Sequence, residues 1–246
     1  MTEGIDNNTQ EFTAAGAKAA VVTGASTGIG EATVRALRKE GWTVFAVALP
    51  TDVTDDVDVA RLLDEVTRAG GIDTLINIAG GARGADKVAG AKTEDWEWMF
   101  QVNVLGSMKL IRAFLPMLRA CGEGTVLNLT STAGLAAYEG GGGYNAAKFA
   151  QHALTGALRL EEAEHNLRVI EVAPGLVQTE EFALNRLGDQ DAAAKVYHGV
   201  EKPLTAADVA DVVRYAVVAP HHINLDQIVI RPVAQAANYK LIRKNQ

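Results

Sequence analysis

The chain has 246 residues, 48% of them hydrophobic, and a formal charge of −7 from 23 basic and 30 acidic residues. That length fits one large α/β domain or two small ones, with enough apolar material for a substantial core. The acidic balance, with no basic tract, argues against a nucleic-acid partner, no apolar run reaches membrane-spanning length, and a lone cysteine, Cys121, excludes an intrachain disulfide framework and is consistent with a reducing cytoplasm.

The opening MTEGIDNNTQEF is polar and lacks the basic and apolar regions of a secretory signal. Residues 1–17 read as a flexible leader and 18–246 as one domain. KAAVVT (18–23) is an apolar strand that ends at a glycine loop, and STGIGEATVRALRKEG is a helix stopped by Gly41. WTVFAVAL is a buried strand, DDVDVARLLDEVTRAGG an amphipathic helix with an acidic first turn, and IDTLINIAGG a third strand. A long helix is expected over 93–119, then the strand TVLNLTS, a helix beginning at Tyr144, and the strand LRVIEVAPG. TAADVADVVRYAVVA and QIVIRP give the last helix and strand. Apolar strands alternating with helices indicate a single-domain, Rossmann-type, doubly wound parallel sheet. Trp96 and Trp98 read as packing around the long helix, and Cys121 as a small residue near its end.

Two stretches carry chemistry. TGASTGIG (23–30) lies between a strand and a helix, with Gly24, Gly28 and Gly30 spaced G-x3-G-x-G. Glycines there allow a tight turn and close backbone approach, and the helix N-terminus offers N–H groups to a pyrophosphate. In GGGGYNAAKFA (140–150), Tyr144 and Lys148 are four apart and share a helix face. A phenol near pKa 10 is a poor acid–base at neutral pH, and a neighbouring ammonium favours its phenolate. Ser131 ends a strand, where ligands bind in sheets of this type. Gly140 to Gly143 read either as a flexible pocket wall or as an ordinary turn.

TGASTGIG, NIAG (77–80), VNVLG (102–106), LTS (129–131), YNAAK (144–148) and APG (173–175) occur together in an order and spacing that resembles the short-chain dehydrogenase/reductase family across nearly all of the chain after residue 17. RYAVVAPHHINLDQIVIRPVAQ is similar to the subgroup of 3-hydroxy-acid (serine-type) and clavulanic acid dehydrogenases. The resemblance implies Tyr144 as general acid/base, Ser131 as the donor that orients a carbonyl, and Lys148 as the cation that lowers the tyrosine pKa and holds the nicotinamide ribose. It implies Asn103 as the relay asparagine. It implies that NAD or NADP is held by Gly24, Ser26, Thr27, Gly28, Ile29 and Gly30, by Asp52 and Val53, by Asn77, Ala79 and Gly80, by Tyr144 and Lys148 themselves, and by Pro174, Gly175, Val177 and Thr179. Residues 176–203 correspond to a substrate lid. A homotetramer or dimer is implied, with contacts through the long helix and the Tyr144 helix, whose small residues Gly106, Ser107, Ala146, Ala147 and Ala150 suit close approach.

The chain departs from the family in two places. Ile78 stands where the family has a second asparagine. After VFAVAL, Pro50 and Thr51 replace a whole helix–strand unit, so a sheet lacking one edge strand is expected; a segment absent from the sequence would look the same. Leu49 falls where an acid would bind the ribose of NAD or an arginine the phosphate of NADP, which leaves the preference open. Two functions are carried forward. One is an oxidoreductase acting on a small alcohol or carbonyl compound, possibly a hydroxy acid or aldehyde. The other is a catalytically silent dinucleotide-binding regulator. Arg83 and Arg186 are the basic residues best placed to meet a carboxylate, each with a plain surface role as the alternative. His221 and His222 are adjacent and diverge, so no metal site is expected.

Overall fold

The computed structural model describes residues 18–179 and 181–244; the leader at 1–17 lies outside them. The first apolar run forms β1 (Ala19–Thr23), buried along its whole length. It leads through the glycine loop into α1 (Gly28–Lys39). β2 (Thr43–Val47), α2 (Asp56–Arg68) and β3 (Thr74–Asn77) follow. The side chain of Asp55 caps α2 by accepting from the Val57 and Asp58 amides, which fixes where that helix begins. No helix or strand lies between Val47 and Asp56.

The long helix expected over 93–119 is divided. α3 (Thr93–Phe100) and α4 (Gly106–Ala120) flank a π-helical turn at Gln101–Leu105. Side chains bond back into the helix at this point. Asn103 Nδ2 donates to the Met99 carbonyl at 2.7 Å, and Ser107 Oγ donates to the Asn103 carbonyl at 3.0 Å. Such insertions widen the local turn, and π-bulges of this kind frequently mark functional sites. β4 (Thr125–Leu129), α5 (Gly142–Glu162) and β5 (Arg168–Pro174) come next. α5 starts two residues before Tyr144, so Gly142 and Gly143 belong to its first turn and only Gly140 and Gly141 precede it.

Short β6 (Val177–Gln178) pairs with β7 (Leu204–Thr205), and between them lie α6 (Phe182–Leu187) and α7 (Gln190–Tyr197). α8 (Ala206–Val218) opens with a capping box between Thr205 and Asp208, and β8 (Gln227–Ile230) completes the sheet.

The sheet is six-stranded and parallel in the order β2-β1-β3-β4-β5-β8. One face packs on α2, α4 and α5 through residues such as Leu62, Phe114 and Leu158. The other packs on α1 and α8 through Leu37, Val209 and Val213. This is a Rossmann-like α/β fold covered on both faces. Gly106, Ser107 and Ala147 are buried within the protomer, which removes them as contacts between subunits; Ala146 is exposed.

Phe114 is fully buried at the centre of the first face. Phe114→Ala is expected to cost about 3–5 kcal/mol, read as a drop in the denaturant midpoint.

Candidate active site

The C-terminal ends of β1, β3, β4 and β5 meet at one rim of the sheet, and glycines set how closely they approach. Gly24, just past β1, has φ +65°, and a Cβ there would lie 2.9 Å from the Ala79 amide nitrogen beyond β3. A Cβ on Gly80 would sit 2.5 Å from Asn103 Oδ1 and 3.7 Å from Lys148 Nζ. These positions have no room for a side chain, which is how loops from different strands share one site. Asn103 is buried, exchanges hydrogen bonds with Gly81 in both directions, and so ties the π turn to the loop after β3.

Ser131 follows β4 in extended conformation and caps the 3-10 turn Thr132–Gly134 by accepting from the Ala133 amide at 3.1 Å. Its hydroxyl donates to the Pro174 carbonyl at 3.3 Å and lies near enough to the Tyr144 phenol to pull its titration down. Asn145 holds the segment after Ser131 against α5, donating to Ala133 and Ala136 and accepting from the Tyr138 amide. Ser131, Tyr144, Lys148 and Asn103 are therefore brought to one place by a strand end, one helix face and a π turn.

Lys148 is 4% exposed. Its amine donates to the Leu129 carbonyl at 3.2 Å and to Gln151 Oε1 at 2.8 Å, and it lies 5.8 Å from the centre of the Tyr144 ring. Gln151 in turn donates to Ser107 Oγ at 3.2 Å, so side chains connect the amine to the Asn103 carbonyl. Burial sets the titration of both groups. It pushes the Tyr144 phenol well above its ordinary range, with the Ser131 hydrogen bond and the Arg186 charge opposing. It pushes the Lys148 amine down from 10.5 to about 7, with the charge of Glu171 opposing. Burial outweighs any lowering of the Tyr144 phenol by charge in this structure.

At the other end of the rim, Thr27 is the N-cap of α1 and makes no side-chain cap, so the first-turn amides of Gly28, Ile29 and Gly30 are not satisfied by it. Thr27 Oγ1 instead donates to Glu181 at 2.9 Å, and Ser26 is exposed beside it. Gly28 has φ +56° and faces Thr179. Thr23 Oγ1 accepts from the Ile78 and Ala79 amides, so the loop after β3 is held without help from residue 78's side chain. Asn77 is occupied inside the sheet, donating to Asn128 Oδ1. Val53 is buried, whereas Asp52 accepts from the amide and hydroxyl of Thr54. Pro174 and Gly175 end β5, and Val177 lies in β6.

Residues after Gly175 fold over this rim. Phe182 meets Tyr144 edge-on at 5.9 Å between ring centres. Arg186 donates to the carbonyls of Gly84 and Gly140 and to the Tyr138 hydroxyl, with its guanidinium 5.8 Å from the Tyr144 ring centre. Arg83 is exposed and stacks on Trp98 at 4.0 Å. Both arginines line a cleft with Trp96, Met99, Gly143 and Tyr144, with empty space of at most about 280 Å³. Glu181, Phe182, Gln151 and Tyr138 were not among the residues expected here. Gln151 carries the clearest signal, a polar residue one turn from Lys148 on the buried face of α5.

A family model described as "short chain dehydrogenase" matches residues 46–189. The chain belongs to the short-chain dehydrogenase family. A Mycobacterium tuberculosis protein named only as an uncharacterized oxidoreductase is 47% identical over 235 residues, covering 89% of this chain and 93% of that protein. An NADP-dependent 3-hydroxy acid dehydrogenase of Schizosaccharomyces pombe is 33% identical over 252 residues, covering 92% and 97%. Among solved structures, the closed form of a serine dehydrogenase complexed with NADP+ superposes with a TM-score of 0.85 at 29% identity, covering 92% of this chain and all of that one. Serine dehydrogenase from Escherichia coli gives 0.74 at 26% identity, covering 89% and 99%.

As a short-chain dehydrogenase the chain is an NAD(P)-dependent oxidoreductase. The residues present fit such a cofactor at its pyrophosphate end. The uncapped start of α1 faces a cradle whose glycines leave no space for side chains. At the adenosine end, Leu49 is 85% exposed and carries no charge.

The titration of Lys148 has a consequence for stability. Between about 7 and 10.5 the unfolded chain holds a proton that folded Lys148 has released, so this residue's contribution to stability rises with pH across that window and is least favourable below it. The stability gained by Lys148→Met over wild type is therefore expected to be largest below pH 7 and to shrink towards pH 10.5, as measured by denaturant unfolding at stepped pH. A pH-independent difference would contradict it.

Proposed function

We propose that this short-chain dehydrogenase interconverts a small alcohol and its carbonyl counterpart, with hydroxy acids or their aldehyde relatives as the substrate class. The observation that carries the reading is Tyr144 in a cleft that also holds the Arg186 guanidinium, with Ser131 acting on the phenol from the end of β4.

A bound nicotinamide cofactor supplies or accepts the hydride. Tyr144 gives its phenolic proton to the substrate oxygen in reduction and takes it back in oxidation. Ser131 donates to the same oxygen, which requires only that its hydroxyl turn away from Pro174. Lys148, when protonated, favours the phenolate and so eases proton release from Tyr144. Asn103 holds the loop at Gly80 and Gly81 beside that amine. Gly24, Ser26, Thr27, Gly28, Ile29 and Gly30 would hold the pyrophosphate, with Ala79, Gly80, Gly175, Val177 and Thr179 along the nicotinamide half. Asn77 would support from within the sheet, and Asp52 and Val53 would border the adenine.

Residues 176–203 act as a lid over the site, supported by the Phe182 and Arg186 contacts with the Tyr144 region. The direct link from β2 to α2 is read as a real loss of one helix–strand unit, which leaves the adenosine end without a charged residue to choose between NAD and NADP. Two named relatives use or bind NADP. Exposed Phe149 and Leu160 on α5 are read as surfaces of a homo-oligomer.

Tyr144→Phe removes the hydroxyl that carries the transferable proton. Turnover is expected to fall by about 100-fold or more, with circular dichroism unchanged. Wild-type turnover in that variant would refute the assignment. Arg186 has guanidinium protons free for a carboxylate beyond those given to Gly84, Gly140 and Tyr138. Arg186→Gln is expected to lower kcat/KM for a 3-hydroxy acid by about 10-fold or more while sparing the matching uncharged alcohol. Equal losses on both would make Arg186 a scaffold residue only.

A further inference from the structure

Gln151 is fully buried on α5, and the reaction above leaves it without a task. An amide taken out of water is costly unless both of its ends are hydrogen-bonded. Both ends of Gln151 are. Its Oε1 accepts from the Lys148 amine at 2.8 Å, and its Nε2 donates to Ser107 Oγ at 3.2 Å. Ser107 is buried as well, and its own hydroxyl donates to the Asn103 carbonyl at 3.0 Å.

These bonds run in one direction. Ser107 has a single hydroxyl proton, and the Asn103 carbonyl takes it, so its oxygen accepts from the amide NH2. That turns the amide oxygen of Gln151 to Lys148, and an ammonium, which has donors only, needs an acceptor there. The π turn thus sets the orientation of the amide at one end, and the amine uses it at the other. The Leu129 carbonyl at 3.2 Å is the amine's second acceptor. With two of its three donors fixed, the direction of the third follows from them.

We propose that Gln151 is a positioning residue for this reaction: its amide oxygen holds the Lys148 amine in place and favours the charged form, and Ser107 with the π turn aims that oxygen. The inference rests on the reading of Lys148 as the amine that tunes Tyr144. A hydrogen bond accepted from an ammonium favours the ammonium, and inside the protein no water replaces a lost one. An apolar side chain at position 151 would fill the same space and leave the amine and Ser107 each short of a partner.

The groups facing Lys148 are few. On α5 the titratable neighbours are Tyr144 and His152, and His152 Nδ1 is engaged by Glu171. β4, the π turn and α4 present the Leu129 carbonyl, Asn103 and Ser107, all uncharged. Glu171 of β5 acts on the amine by its charge, and Arg186 of α6 lies against the Tyr144 ring. All of these charged groups stay the same in the variants below.

The test follows the 13Cε resonance of Lys148 against pH in cofactor-free protein labelled with [ε-13C]lysine, the signal being assigned by its absence in Lys148→Met. Gln151→Met keeps the length of the side chain and removes both hydrogen bonds; it is expected to lower the Lys148 midpoint by about one pH unit or more. Gln151→Glu keeps the acceptor and adds a negative charge. It is expected to raise the midpoint, which keeps the proposal testable should Gln151→Met fail to fold. Ser107→Ala removes the group that aims the amide and is expected to lower the midpoint by less than Gln151→Met does. A midpoint that stays in place in Gln151→Met or in Ser107→Ala overturns the proposal, as does one that fails to rise in Gln151→Glu. A packing role alone would lower the denaturant midpoint of Gln151→Met and leave the Lys148 titration as in wild type. The pH profile of kcat/KM for a 3-hydroxy acid is recorded on the same variants and is expected to move with the same sign as the titration. A shifted titration with an unshifted profile would uphold the hold of Gln151 on the amine and remove Lys148 from the tuning of Tyr144.

Discussion

The burial of one amine is the constraint around which the site is organised. Lys148 has almost no access to water, and water would otherwise satisfy its three donors. The protein replaces part of that solvation with a strand-end carbonyl and a glutamine one turn along the same helix. The carbonyl belongs to β4 and the amide to α5, so these two elements must keep a fixed relation. A ladder of amides and a hydroxyl ties them to each other and to β3: Asn77 donates to Asn128, Asn128 to Thr155, and Thr155 to the Gln151 carbonyl, all inside the protein. Breaking any of these buried bonds leaves a polar group without its partner, and this cost holds the geometry.

The parallel sheet explains why these partners are available together. Parallel strands end at a common rim, and every loop there starts from a well-packed strand. Close approach of those loops then depends on glycine. Gly24 against Ala79, Gly80 against Asn103, and Gly134 against the Lys148 carbonyl are contacts that a single methyl group would break. The loops at this rim hold Ser131, Asn103 and the glycines, and α6 beyond it brings Phe182 and Arg186 against the Tyr144 ring.

Much of this was legible in the sequence, because it rests on local patterns. Apolar runs that end at glycines gave the strands, and the four-residue spacing gave a shared helix face for Tyr144 and Lys148. The break between α3 and α4 was not legible. It comes from side-chain bonds of Asn103 and Ser107 back to the main chain, within a segment of good helical periodicity. The role of Gly142 and Gly143 in the first turn of α5 was hidden for a similar reason. Trp96 crowds both positions and Met99 crowds Gly143, so small residues there serve packing against α3 and not flexibility. The carboxylate of Glu181 at the glycine loop joins residues 154 apart in the chain, and no local pattern records it. Glu171 and Gln151 are polar residues at buried positions, a signal that periodicity alone passes over.

The same desolvation acts on Tyr144 and Lys148 in opposite directions, raising one and lowering the other. Groups whose environments drive their titrations apart are those that can exchange roles in proton transfer. Burial therefore leaves the phenol holding its proton firmly, while the amine's titration falls to about 7, so the amine can take up and release a proton near neutral pH. A phenol in that state is suited to donate to a developing alkoxide, and charge on the amine is what eases its release.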